Sequence, residues 1–184
     1  MRMVGILAGI VGALVGATVV RHTFKGGVSA KDLAPQTAAG ISIQFPGTPE
    51  KLPLDIPPAV RSKIVSMENF QHKARNFEAL LSRVVYVEGV EANAEAALEG
   101  ALSNVSLLQK MDRAGCEKKP VTISECEGLR FTALFRKSEE DVESQGVILT
   151  QGSSMWSVFV IYLKDNEKSR EAATQMVDSI QIAP

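Results

Sequence analysis

Two histidines, two cysteines and one run of carboxylates are the residues of this 184-residue chain through which catalysis would have to pass. A serine or cysteine nucleophile needs a nearby general base, most often histidine. His22 lies in the juxtamembrane linker just after Arg21, and His72 lies in NFQHKARNF, a polar stretch that reads as an exposed strand or turn. No Gly-x-Ser-x-Gly, Ser-x-x-Lys, P-loop or dinucleotide glycine pattern occurs. Glu139, Glu140, Asp141 and Glu143 form the densest carboxylate cluster and offer oxygens for acid-base work or a divalent cation. They lack the spaced ligand loop with a central glycine, and such a charge run reads first as a solvated turn between strands. The expectation is therefore no catalytic residue, no metal, no cofactor and no enzyme.

Cys116 and Cys126 flank EKKPVTISE, which is neither a CxxC redox pair nor a full set of zinc ligands. In an exported domain they form a candidate disulfide tying the exit of a helix to the next strand, a bridge contributing about 2 to 3 kcal/mol. In a reducing compartment they stay thiols. Trp156 falls in a run that is apolar on both strand faces, so its first reading is core packing.

The elements that must position these residues follow from composition. With 45% hydrophobic and 22% charged residues the chain is globular, not disordered or collagenous. A net charge of -1 and a pI near 6.2 give no attraction to a phosphate backbone, so a nucleic-acid partner is not expected. That balance hides a division, because residues 1–40 carry +3 and residues 41–184 carry -4.

Residues 3–20, MVGILAGIVGALVGATVV, hold no charge and lie between Arg2 and Arg21. As a helix they span about 27 Å, close to the ~30 Å core of a bilayer. A lipoprotein signal is excluded because the first 40 residues hold no cysteine. A secretory signal cut after Ala17 and a retained anchor both fit, and the length of the run favours the anchor. The positive residues Arg21, Lys25 and Lys31 point to a cytoplasmic domain, whereas the short amino-terminal tail resembles that of an exported, signal-anchored protein. The reading adopted is a single-pass membrane protein with an extracytoplasmic domain. Gly5, Gly9, Gly12 and Gly16 share one narrow stripe of such a helix, which suits close helix packing and a homo-oligomer, although glycine is also common in membrane helices.

Residues 21–40 contain Gly26-Gly27 and Pro35 and no burying period, so they read as a flexible linker. Residues 41–184 then form one domain. Ile41, Ile43 and Phe45 alternate as a half-buried strand, and the Pro-rich stretch that follows breaks regular structure. Strands are expected over Lys63 to Met67, Phe77 to Val87, Val121 to Cys126, Leu129 to Arg136, Gly146 to Gln151 and Met155 to Leu163. The last is apolar on both faces and belongs inside a sheet covered on each side. Ala94, Ala97, Leu98, Ala101, Leu102, Val105 and Leu108 make one stripe of a helix ending near Arg113 to Gly115, with Gly115 as a left-handed cap. A second helix is expected over about Glu167 to Ile180, capped by Asp165 or Asn166. The fold class is α+β, an antiparallel sheet flanked by helices in an α/β/α sandwich, behind one amino-terminal transmembrane or signal-anchor helix.

The segments ISIQFPGTPE at 41–50, AEAALEGALSNV at 94–105 and SVFVIYLKDNEKSREAATQMVDSIQI at 157–182, in this order, resemble the PsbP-like family. The resemblance implies an antiparallel sheet sandwiched between helices, in a non-enzymatic domain that docks on, assembles or stabilises a protein complex, often exported and membrane-associated. It carries over no functional residue. The partners expected are a membrane and other membrane proteins or complex subunits. The alternative is a ligand-binding domain for a lipid or small apolar molecule held between sheet and helices.

Overall fold

A strand that is apolar on both faces must be covered twice, and the strand Ser154–Leu163 sets the architecture for that reason. The computed structural model describes residues 27–183 apart from 54, 55, 75, 138 and 139. In chain order the elements are β1 (Ala34–Ala38), β2 (Ile41–Phe45), β3 (Glu50–Lys51), a short α1 (Pro58–Arg61), β4 (Ile64–Ala74), β5 (Phe77–Tyr86), α2 (Ala94–Gln109), β6 (Asp112–Ile123), β7 (Cys126–Lys137), β8 (Glu140–Gln151), β9 (Ser154–Leu163), α3 (Glu167–Asp178) and β10 (Gln181–Ile182). The main sheet is antiparallel with the order β3-β4-β5-β9-β8-β7-β6, which puts β9 at its centre. A second sheet, β1-β2-β10, is also antiparallel. The fold is α+β.

Each face of the main sheet has its own core. Phe159, Ile161 and Met155 of β9 pack with Phe131 and Phe135 of β7 against Leu98, Leu102 and Val105 of α2. On the other side Val158, Val160 and Tyr162 pack with Leu149 of β8 against Met176 and Val177 of α3 and Ile41 and Phe45 of β2. The expected strand Ile41 to Phe45 thus covers the sheet as part of a smaller one. Helix α2 starts at Asn93, whose side chain accepts from the Ala96 amide at 2.9 Å, and α3 starts at Asn166, which accepts from Ser169 at 3.1 Å.

Several expectations need correction. Helix α2 ends at Gln109, capped by Lys110 in the left-handed region at φ 53°, so Gly115 is no cap. Gly115 sits instead in β6, where the register slips between Arg113 and Gly115. Strands β4, β6 and β8 run well beyond their apolar cores, because ladder hydrogen bonds continue through polar residues. Residues 27–40 are not a linker: β1 pairs with β2 along its whole length and Val28 is buried. The glycines Gly5, Gly9, Gly12 and Gly16, and with them the expected membrane segment, lie outside the described residues. Among the described residues no helix is long and apolar enough to cross a membrane.

Candidate docking groove

The hairpins of an antiparallel sheet gather at its two ends, and here the ends differ. At one end lie the β6–β7 turn, the β8–β9 turn and the long β5–α2 connection. Ser124 and Glu125 form the first of these turns with φ 48° and 65°, the left-handed pair that a two-residue hairpin needs. Gly152 opens the second at φ 58°. The connection 87–93 folds back across them, holding Val90 to Val87 at 3.1 Å, and leads into the Asn93 cap.

Between these three segments runs a groove in two joined parts. One part, of about 650 Å³, lies between Asn93 to Glu95 and the strand ends at Pro120 to Thr122 and Glu127 to Leu129. The other, of about 740 Å³, lies between Glu88 to Ala92, Glu125 and the turn Gln151 to Ser153. Ala92, Glu127 and Thr150 line both. Glu88, Glu91, Glu95, Glu125 and Glu127 face this groove, and among the described residues no lysine or arginine lines it. Lys118 neutralises Glu95 from outside at 2.5 Å. Four carboxylates remain to set a negative potential, which favours a cationic surface over an anionic one.

The residues singled out in the sequence are scattered. His72 is on β4, half-buried and edge-on to Phe45 at 6.0 Å, and its pKa is lowered by burial against the opposing pull of Glu50. His22 and Glu139 lie outside the described residues. Glu140, Asp141 and Glu143 do not sit in a turn; they belong to β8, and Glu143 turns to the α3 face. There the Tyr162 hydroxyl and Gln145 Nε2 donate to it, Thr174 of α3 donates to Gln145 at 3.3 Å, and Arg170 stands 3.8 Å away. This is a polar staple between helix and sheet, visible only once β8 and β9 are in register. Trp156 is buried, as its place in the run suggested.

The candidate disulfide is overturned by register. Cys126 pairs with Ile123 and Cys116 with Ala133, so the two stand seven positions apart along the ladder, about 23 Å. That is beyond the reach of any disulfide. Both are free thiols. Among the described residues no three His, Cys, Asp or Glu side chains converge to hold a metal ion.

No family model matches this chain, and no curated protein matches it. Solved structures with a similar course of the chain include a protein from Bacteroides thetaiotaomicron, at 11% identity and a TM-score of 0.44, over 83% of this chain and 48% of that one. This chain therefore spans about half the length of the Bacteroides protein. PA94 of Pseudomonas aeruginosa, a protein of unknown function, aligns at 13% identity and a TM-score of 0.38 over 70% of this chain and 92% of its own. LpqN of Mycobacterium tuberculosis, involved in cell envelope biogenesis, aligns at 16% identity and a TM-score of 0.42 over 78% and 83%.

Proposed function

We propose that this chain is a membrane-tethered, non-enzymatic domain of the PsbP-like kind that docks on or stabilises a protein complex, with its acidic groove as the docking surface. The observation that carries this reading is the polarity of the fold. The chain enters at Gly27, where an added Cβ would come within 2.4 Å of both Asn166 and Ser169, and Ser169 donates to the Val28 carbonyl at 3.4 Å. Entry is thus at the end of the sheet where β9 gives way to α3. The groove is at the other end, a strand length of about 33 Å away.

Residues 21–26 reach at most about 20 Å. With residues 3–20 in a bilayer on the extracytoplasmic side, the entry end stays near the membrane and the groove points away from it, towards a partner with a basic surface. The glycine stripe Gly5, Gly9, Gly12 and Gly16 then serves lateral association within the membrane. A lipid or small apolar ligand held between sheet and helices receives less support, because Phe131, Phe135, Phe159, Leu98 and Leu102 already fill one interface at under 2% exposure or close to it, and Phe45, Phe77 and Tyr162 fill the other.

The test is affinity purification of the full chain in mild detergent, beside a variant carrying Glu88→Lys, Glu91→Lys and Glu127→Lys. The expected result is a stoichiometric partner with the wild type and its loss, at unchanged melting temperature, with the variant. A wild type that purifies alone, or a partner indifferent to the three reversals, defeats the reading.

A further inference from the structure

Among the described residues Arg83 is a half-buried cation without an anion. Strand β5 turns it to the face covered by α3 and the small sheet, directly opposite Trp156 of β9. Its guanidinium carbon lies 5.4 Å from the centre of the indole, which therefore backs one side of the charge. Glu68 stands directly opposite Arg83 on β4, yet it is exposed and forms no ion pair with it. The Nε atom of Arg83 and the Nε1 atom of Trp156 are both buried and have no hydrogen-bond partner among the described residues. Trp156 as a whole is 5% exposed.

The β1–β2 turn passes over this pair. Gly40 occupies the turn at φ 71°, and a Cβ there would lie 3.5 Å from both Arg83 Nη1 and Trp156 Nε1. The two donors thus converge beside the one residue of the turn that brings no side chain. A guanidinium and an indole N–H can only donate, so what they lack is an acceptor, and a charged acceptor binds a guanidinium most strongly.

We propose that Arg83 and Trp156 form a binding site for a carboxylate, carried by an acidic side chain or by a chain terminus of a partner, and entered beside the Gly40 turn. One guanidinium fork and one N–H match the two oxygens of a carboxylate. A phosphate dianion would leave oxygens unanswered in so enclosed a place. This site stands on the opposite charge logic from the acidic groove and does not depend on it.

Trp156 is the single tryptophan of the chain, so its emission reports on the site alone. The full chain in mild detergent is titrated with three peptides: acetyl-Ala-Glu-Ala amide, which carries only a side-chain carboxylate; acetyl-Ala-Ala-Ala free acid, which carries only a terminal one; and acetyl-Ala-Gln-Ala amide, which carries none. The expected result is a saturable change of emission with one or both carboxylate peptides at roughly millimolar concentration, and none with the Gln peptide. Whichever carboxylate responds identifies the source. Arg83→Met is expected to weaken the response about tenfold or more. If Arg83→Met melts early, Arg83→Lys, which keeps charge but loses the fork, takes its place with the same expectation of weaker binding. No saturable response to either carboxylate, or an equal response in the Arg83 variant, overturns the proposal.

Discussion

The hydroxyl of Tyr162 donates to the carboxylate of Glu143 across the β8–β9 ladder, beneath helix α3. Tyr162 has no exposed surface, and its oxygen also receives Gln145 Nε2, so the one group serves two partners. Removing it in Tyr162→Phe keeps the ring and leaves Glu143 and Gln145 short of a partner, which costs about 1 to 3 kcal/mol. For a domain of this size that lowers the melting temperature by roughly 2 to 10 °C. Circular dichroism melting checks it; a shift below about 1 °C would show that the staple holds nothing.

Both tyrosines of the chain are buried, so the protein is expected to lose stability at alkaline pH in a defined window. Burial pushes Tyr86 up to about 12 and raises Tyr162 further, with the hydrogen bond to Glu143 and that group's charge adding to the rise. The folded values lie above the unfolded value near 10, so this stability is fully present below about pH 10 and is lost as pH climbs through 12. Native protein should show no tyrosinate absorbance at pH 10 to 11, and the absorbance should appear together with unfolding. A phenol that titrates near 10 in folded protein contradicts the burial of these rings.

The two cysteines are expected to behave as separate, unreactive thiols. Burial raises the pKa of each, for Cys116 against the pull of Arg113 and for Cys126 with help from Glu125. Below about pH 8 an alkylating reagent should label half-exposed Cys116 slowly and buried Cys126 only after denaturation. Intact mass should be the same with and without reductant. A loss of two hydrogens in the untreated chain would mean a bridge and a different register.

Two glycines are placed where the neighbouring strand leaves no room. A Cβ on Gly128 would lie 1.9 Å from the Ile148 carbonyl oxygen, and one on Gly146 would lie 2.0 Å from that of Val158 and 2.9 Å from the Phe131 ring. Gly128→Ala and Gly146→Ala must therefore push strands apart, and each is expected to cost about 3 kcal/mol or more, in the upper range for single substitutions. Urea unfolding with an unchanged slope and a lower midpoint would measure this. Gly115→Ala, where nothing lies within 4 Å, is the neutral control.

What was legible in the sequence was whatever leaves a periodic trace. The double-faced run Met155 to Leu163 announced a central strand, and the stripe from Ala94 to Val105 announced the helix that covers it. Polar strand ends left no such trace. Asp112 to Lys119 is mostly exposed along the sheet edge, and its strand character lies in backbone bonds to β7. The same holds for Ala34 to Ala38, a strand only because β2 returns beside it through the tight turn at Ala39 and Gly40. The acidic run looked like a turn because charge is usually solvated, while Tyr162, nineteen residues away, supplies Glu143 with a buried partner. The groove depends on two hairpin turns and the β5–α2 connection meeting, and Arg83 with Trp156 on register across β5 and β9. Neither arrangement is local, so neither had a local signature.

The place of β9 also governs how the molecule can be assembled. Strands β4 and β5 form one hairpin, and β6 to β9 form a meander of successive hairpins, both made from neighbouring pieces of chain. Among the described residues the only ladder joining the two is β5 to β9, across more than sixty intervening residues, and β2 waits longer still for β10. During synthesis β5 therefore emerges with one edge bare, and no early core can close over it until Ser154–Leu163 arrives. Loops of that length slow folding, and an apolar edge left open so long is the point at which a holding factor would act on the nascent chain.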